Sequence, residues 1–240
     1  SRCRGGYHLS QPEVALDIIS RVRDTVPAEI PVTLKMRRGI DDSSESADNF
    51  FEIFDGAFAR GLAAITVHGR TVHQKYVGPS NWEFLKQVKQ HAGEKTVIGS
   101  GDLFSPQSCL DMLRVTGVDG VSIARGAIGN PWIFQQTADL LRGKSISPPD
   151  VTEQREVISA HFELAREFYG DKKVCNTMRK FGIFYSELHP QYAEVKKAFI
   201  AVKTAADWLK VLDQWYTENA PGRFPPVEKP NPLSLETPAV

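Results

Sequence analysis

The chain has 240 residues, 41% hydrophobic and 24% charged, the composition of ordinary globular material rather than of a disordered or fibrous protein. Its 29 basic and 29 acidic side chains cancel, so overall charge gives no pull toward nucleic acid or membrane, and an anionic partner must be met by local clusters. Cys3, Cys109 and Cys175 are scattered without CxxC spacing, which argues against a disulfide framework or a metal site and points to a reducing cytoplasm.

No apolar run approaches the length of a membrane span, and the start lacks the layout of a signal peptide. Residues 1–6 form a basic, glycine-bearing loop that leads into a helix, with Ser10 as its cap and Pro12 in its first turn. Val14, Ile18, Ile19 and Val22 supply that helix's apolar positions, and Pro27 ends it. Strands follow at residues 32–37, 65–70, 97–102 and 121–126. Between them, a helix over 46–60 buries Phe50, Phe54, Ala57 and Phe58 and stops at Gly61. Another starts at Asn81-Trp82 and uses Phe84, Leu85 and Val88. Ser105-Pro106 opens a third, closed by Gly117, and Asn130-Pro131 a fourth, with Ser105 and Asn130 as caps.

This alternation predicts an α/β fold with a parallel sheet. A closed (β/α)8 barrel needs eight strands. The pattern over residues 1–145 therefore reads as the C-terminal half of a TIM-type barrel, with four strands expected before residue 1. Residues 146–150, with Pro148-Pro149, form a linker. From 151 to 218 the pattern is wholly helical, a small all-α domain. Its apolar positions include Ala160, Leu164 and Phe168, then Phe181, Phe184, Tyr185 and Leu188, then Phe199 and Val202, then Trp208, Leu209, Leu212 and Trp215. Residues 219–240 hold six prolines, which predicts a largely disordered tail.

Polar groups collect at the carboxyl ends of the strands, where parallel α/β folds gather their chemistry. Lys35 is either a solvated strand-end lysine or a donor to an electron-rich ring or anion, and one of Arg37 and Arg38 is surface charge. His68-Gly69-Arg70 places a histidine after an apolar strand, a glycine for a tight turn and a second donor; the alternative for His68 is a core histidine held by backbone. Gly99-Ser100-Gly101-Asp102 and Ala124-Arg125-Gly126 end adjacent strands, where backbone N–H groups and a guanidinium suit a phosphate. Lys172, Lys173, Arg179 and Lys180 form the strongest basic cluster, although residues 151–218 hold ten basic and ten acidic side chains. The cluster is either a solvated helix face or a phosphate contact. Cys109 and Cys175 read as core residues.

Taken together, Thr33-Leu34-Lys35-Met36-Arg37, then Ile65-Thr66-Val67-His68-Gly69-Arg70-Thr71 with Gln74, Tyr76, Gly78 and Trp82, then Gly99-Ser100-Gly101-Asp102, strongly resemble the tRNA-dihydrouridine synthases. So does the run from Ile123-Ala124-Arg125-Gly126 to Asn130-Pro131-Trp132-Ile133-Phe134. The likeness extends from Arg2 to about Lys180, and more weakly to about Tyr216. It implies an FMN-containing barrel followed by a helical RNA-binding domain, in a cytoplasmic enzyme that reduces particular tRNA uridines to 5,6-dihydrouridine. NADPH or NADH reduces the flavin, and a cysteine protonates the base. By the same resemblance, Lys35 and His68 contact the flavin ring. Ser100, Gly101 and Asp102 lie along the ribityl-phosphate side, and Ala124 and Arg125 sit at the phosphate. Arg70, Lys172, Arg179 and Lys180 meet RNA. The implied partner is tRNA, with no metal and no membrane, and a monomeric parent protein.

Ser100 stands where the family has asparagine, Ala124 where it has glycine, and Val72 where it has arginine. The Asn-x-x-Cys-Pro loop that carries the family's proton donor has no counterpart here. That cysteine is expected upstream of residue 1, so the chain by itself is expected to be inactive. Two alternatives are a non-catalytic RNA-binding relative and another FMN- or phosphate-binding barrel oxidoreductase acting on a small molecule.

Overall fold

A computed structural model describes residues 5–226, and the chain divides into two compact units. Within the described residues, the first comprises residues 5–103 and 108–123; the second comprises 104–107 and 124–226. Cys3 lies outside the described residues.

The first unit is built on four parallel strands in sequential order, β1 (Thr33–Arg37), β2 (Ala64–His68), β3 (Val97–Ser100) and β4 (Gly120–Val121). Helices α1 (Pro12–Thr25), α2 (Ser44–Ala59), α3 (Trp82–Ala92) and α4 (Pro106–Thr116) precede the successive strands or follow the third. Period-two alternation sends Met36, Ile65, Val67 and Val97 to one face, where Phe50, Phe54, Leu85, Val88 and Met112 bury them. Ser43 caps α2 by accepting from Ser46 N–H, and Asn81 caps α3 by accepting from Phe84 N–H. Gly61 and Gly117 have positive φ just past their helices, as chain reversal there requires.

Two local expectations change in this unit. Ser10 does not cap α1; its hydroxyl donates to the Tyr7 carbonyl in a preceding 3-10 turn, and Gln11 holds the cap position. The helix also turns a different face inward. Ala15 and Ile19 are buried, while Val14, Ile18 and Val22 are each more than 40% exposed. The spacing was helical, but it could not tell a stripe that covers the sheet from one beside it.

The second unit contains α5 (Ile133–Leu141), α6 (Val151–Tyr169), α7 (Asp171–Tyr185), α8 (Tyr192–Ala201) and α9 (Ala205–Trp215). Its core gathers Ile158, Phe162, Val174, Met178, Phe199, Trp208 and Leu212, with Phe162 stacked on Trp208 at 4.9 Å. Asp150 and Thr204 open α6 and α9 with reciprocal capping boxes. On α6 the buried line is Val151, Gln154, Ile158, Phe162 and Ala165, not Ala160, Leu164 and Phe168; Phe168 is 83% exposed. Gln154 hid this line in the sequence. It is fully buried because its amide donates to the carbonyls of Pro149 and Leu188. Leu209 of α9 is likewise exposed.

Asn130 does not cap α5, whose cap position is Trp132; Asn130 is buried, and neither of its side-chain polar atoms is hydrogen-bonded among the described residues. Nor is the proline-rich tail loose from residue 219. Ala220 accepts from Val151 N–H, Asn219 from Thr152 N–H, and Arg223 N–H donates to Leu188. An extended segment satisfies the orphan donors at the start of α6, which composition alone does not report. Residues 227–240 lie outside the described residues.

Candidate functional site

The strand register assembles the site in the first unit. β1 pairs with β2 so that Lys35 lies opposite Thr66 and Arg37 opposite His68, and β2 pairs with β3 so that His68 lies opposite Ser100. Alternation then puts Lys35, Arg37, Thr66, His68 and Ser100 on the sheet face that the helices leave uncovered. Lys35 sits one side-chain layer below the row Arg37, His68, Ser100. Its ammonium is exposed and has no partner among the described residues.

His68 is partly buried at the carboxyl end of β2. Its Nδ1 accepts from Arg70 N–H at 3.2 Å, and Nε2 has no partner among the described residues. Burial, then the neighbouring charges of Arg37, Arg70 and Lys35, push its pKa down to about 4. The ring is therefore neutral at ordinary pH, and the bond that Nδ1 accepts favours the proton on Nε2. Such a histidine is a hydrogen-bond donor and not a cation.

The loop after β2 is tied down on both sides. Arg37 Nη1 donates to the carbonyls of Thr71 and Lys75, and Arg38 Nε to that of Gly69. Arg38 also pairs with Asp42. Neither arginine is idle surface charge, contrary to expectation. On the other side, Arg70 Nη2 bonds both Asp102 oxygens at 2.7 and 2.8 Å, and its guanidinium also donates to the Gly78 carbonyl. Asp102 accepts from Ser80 N–H at 2.7 Å, and Trp82 Nε1 donates to the Gly101 carbonyl. Gly69 and Gly101 permit this closeness, since a Cβ on either would run into Ser80 Oγ. Gly101 has φ +128° and Asp102 φ +58°.

This geometry revises one expected role. Arg70 was expected to meet RNA, yet it is only 4% exposed and engaged with Asp102, so it presents no face to a phosphate. Asp102, expected along a ribityl-phosphate arm, accepts from Arg70 and from Ser80 N–H. Ser100 is buried, and its hydroxyl donates to the Ser122 carbonyl at 3.1 Å. Ala124 and Arg125 belong to the second unit. There a 3-10 turn (Arg125–Ala127) follows Ala124, and the Arg125 guanidinium lies over the Phe104 ring at 5.0 Å.

A family model described as dihydrouridine synthase matches residues 2–221. The chain belongs to the dihydrouridine synthase family. It is 34% identical over 198 residues to a probable tRNA-dihydrouridine synthase of Mycobacterium tuberculosis (strain CDC 1551 / Oshkosh), covering 82% of this chain and 50% of that protein. It is 33% identical over 214 residues to tRNA-dihydrouridine synthase B of Xanthomonas campestris pv. campestris, covering 88% of this chain and 63% of that protein. A probable tRNA-dihydrouridine synthase of Rickettsia conorii is 33% identical over 218 residues, with coverages of 89% and 64%. The chain thus spans between half and just under two thirds of these relatives.

In this chain the basic cluster falls on α7. Lys173 and Lys180 are exposed and Arg179 is half-buried; none has an acidic partner among the described residues. The Lys172 side chain lies outside the described residues. Cys109 and Cys175 are buried free thiols, and burial pushes the Cys175 thiol up. No described helix is long and apolar enough to cross a membrane.

Sequence reasoning missed Ser80, the ties of Arg38 to Gly69 and Asp42, and the pairing of Arg70 with Asp102. The last had a signal. Arg70 and Asp102 each lie two residues beyond His68 and Ser100, which the β2–β3 register sets side by side.

Proposed function

We propose that the full-length protein reduces a uridine base of tRNA to 5,6-dihydrouridine, with FMN as cofactor and NADPH or NADH as reductant, in the cytoplasm. The observation that carries this is the pairing of Lys35 and His68 on one uncovered sheet face, each with a free donor. Family membership and the relatives' names support the reaction.

The donor set fits an electron-rich ring edge. When bound, FMN supplies the hydride that saturates the base. Lys35 brings positive charge to that edge, and His68 brings a neutral N–H that needs no proton from solvent. Partial burial strengthens the His68 donor. Ser100 and Gly101 shape the turn beside His68. Ala124 and Arg125 of the second unit are proposed separately as an anion-binding turn, and Arg179, Lys180 and Lys172 as RNA phosphate contacts. By the family resemblance, the base's proton is assigned to a cysteine upstream of residue 1; Cys109 and Cys175 are buried in the two cores.

We further infer that β1–β4 are the second half of a (β/α)8 barrel, with α6–α9 as a helical RNA-binding domain. Among the described residues β1 pairs only with β2, and the Val14–Ile18–Val22 stripe stands uncovered on the adjoining helix. Both features suit continuation by further βα units.

The test is reconstitution of the full-length protein with FMN and assay of dihydrouridine in an unmodified tRNA transcript. Lys35→Ala is expected to lower the rate about 100-fold, the usual loss on removing one electrostatic donor. Wild-type protein that binds no FMN and leaves uridine intact defeats the proposal.

A further inference from the structure

The pair formed by Arg70 and Asp102 lies two residues past the sheet and is too well built for a surface ion pair. Arg70 is 4% exposed, both carboxylate oxygens accept from one Nη2, and Ser80 N–H makes a third bond to Asp102. Breaking such a pair leaves a buried charge without a partner. The same arginine, through its backbone N–H, donates to His68 Nδ1. A neutral imidazole carries one proton, so the nitrogen that accepts this bond dictates that the other nitrogen donates.

The two roles of Arg70 meet in its main chain. The loop from residue 70 to 80 is closed on itself by bonds from Gln74 to the Val77 and Pro79 carbonyls and from Arg70 to that of Gly78. It is tied outward by Arg37 to the Thr71 and Lys75 carbonyls, by Val72 and His73 N–H to Gly39 and Ile40, and by Arg70 and Ser80 N–H to Asp102. Of these ties, the one to Asp102 anchors the residue that touches His68. We propose that Arg70 and Asp102 are positioning residues for His68, clasping the β2–α3 loop to the β3–α4 turn so that the Arg70 amide stays on Nδ1 and Nε2–H faces outward as a fixed donor. This rests on the cofactor reading above for the identity of the acceptor, a ring carbonyl or imine nitrogen. It deepens that reading by assigning Arg70 and Asp102 to the ring donor rather than to RNA or phosphate.

Burial and the charges of Arg37, Arg70 and Lys35 keep His68 neutral, which leaves Nδ1 able to accept from the Arg70 N–H. Gly69 fits as well. It lets the chain turn between His68 and Arg70 while Asn81 N–H donates to its carbonyl.

The experiment is histidine 15N spectroscopy on the full-length protein, with FMN titration followed by flavin fluorescence. In wild-type protein His68 is expected as the Nε2–H tautomer, in roughly five- to tenfold excess, the worth of one backbone hydrogen bond. Asp102→Asn is expected to lower that excess toward parity and to weaken FMN binding about tenfold, with Arg70→Lys between the two. If wild-type His68 shows averaged tautomers or the Nδ1–H form, the proposal falls without any variant. If folded Asp102→Asn or Arg70→Lys keeps the wild-type tautomer ratio, it falls as well. A wild-type protein with fixed Nε2–H that binds no FMN overturns the cofactor reading and leaves the clasp standing.

Discussion

Three cations, Arg37, Arg70 and Lys35, face the His68 imidazole, and only Asp102 offsets them. Together with burial they hold its pKa at about 4, against 6.5 for a free histidine. The sign of the linked stability follows. Above pH 6.5 both folded and unfolded chains carry a neutral ring, and the fold loses nothing. Between 6.5 and about 4 the unfolded chain takes up a proton that the folded chain refuses, so this residue's contribution falls with pH. Below about 4 both are protonated and the loss levels off. Urea midpoints of wild type and His68→Gln in the full-length protein are expected to diverge from neutral pH down to about 4, with the variant losing less. Parallel curves would contradict the depressed pKa.

At the scale of elements, closeness is bought by small residues at two crossings. In the first unit Gly69 and Gly101 bring neighbouring turns against Ser80. In the second, Gly182 lies inside α7 where a Cβ would strike the Phe199 ring of α8. Phe199 is fully buried and also packs against Trp208 of α9, with ring centroids 4.9 Å apart. The ring therefore has no direction in which to retreat. Alanine is the better helix former, yet Gly182→Ala is expected to destabilise the helical unit by about 1–3 kcal/mol through overpacking. The measurement is the shift in denaturant midpoint by circular dichroism at helical wavelengths. A variant as stable as wild type would show that the α7–α8 contact yields.

At the scale of the whole molecule, the first unit leaves apolar surface where its pattern of sheet and helix stops. Val14, Ile18 and Val22 line one side of α1, and β1 offers an edge with no strand beyond it among the described residues. Water does not tolerate both together without consequence. Expressed alone, the 240-residue chain is expected to self-associate, its light-scattering mass rising with concentration. Ile18→Glu is expected to lower that association with little effect on the fold, because the side chain is 42% exposed. A wild-type chain that stays monomeric at high concentration would argue against the half-barrel.

The first three strands and the polar residues at their ends were legible in the sequence; the fourth, expected over 121–126, is only Gly120–Val121, and Arg125 lies in a 3-10 turn beyond it. A four- to six-residue apolar run closed by Lys, His or Ser-Gly-Asp states its own position and polarity. The family motif was legible too, because motif residues are read in order along one chain. Which stripe of α1 or α6 turns inward was not. Either line had helical period, and the choice depends on neighbours such as Trp208, or on a buried amide, as in Gln154. The partners of Arg70 and Asp102 were equally hidden, though both residues were singled out. Periodicity and motifs are local properties that sequence order fixes. A clasp between residues 32 positions apart exists only once strand register brings their side chains within hydrogen-bond range, and that is a property of the folded sheet.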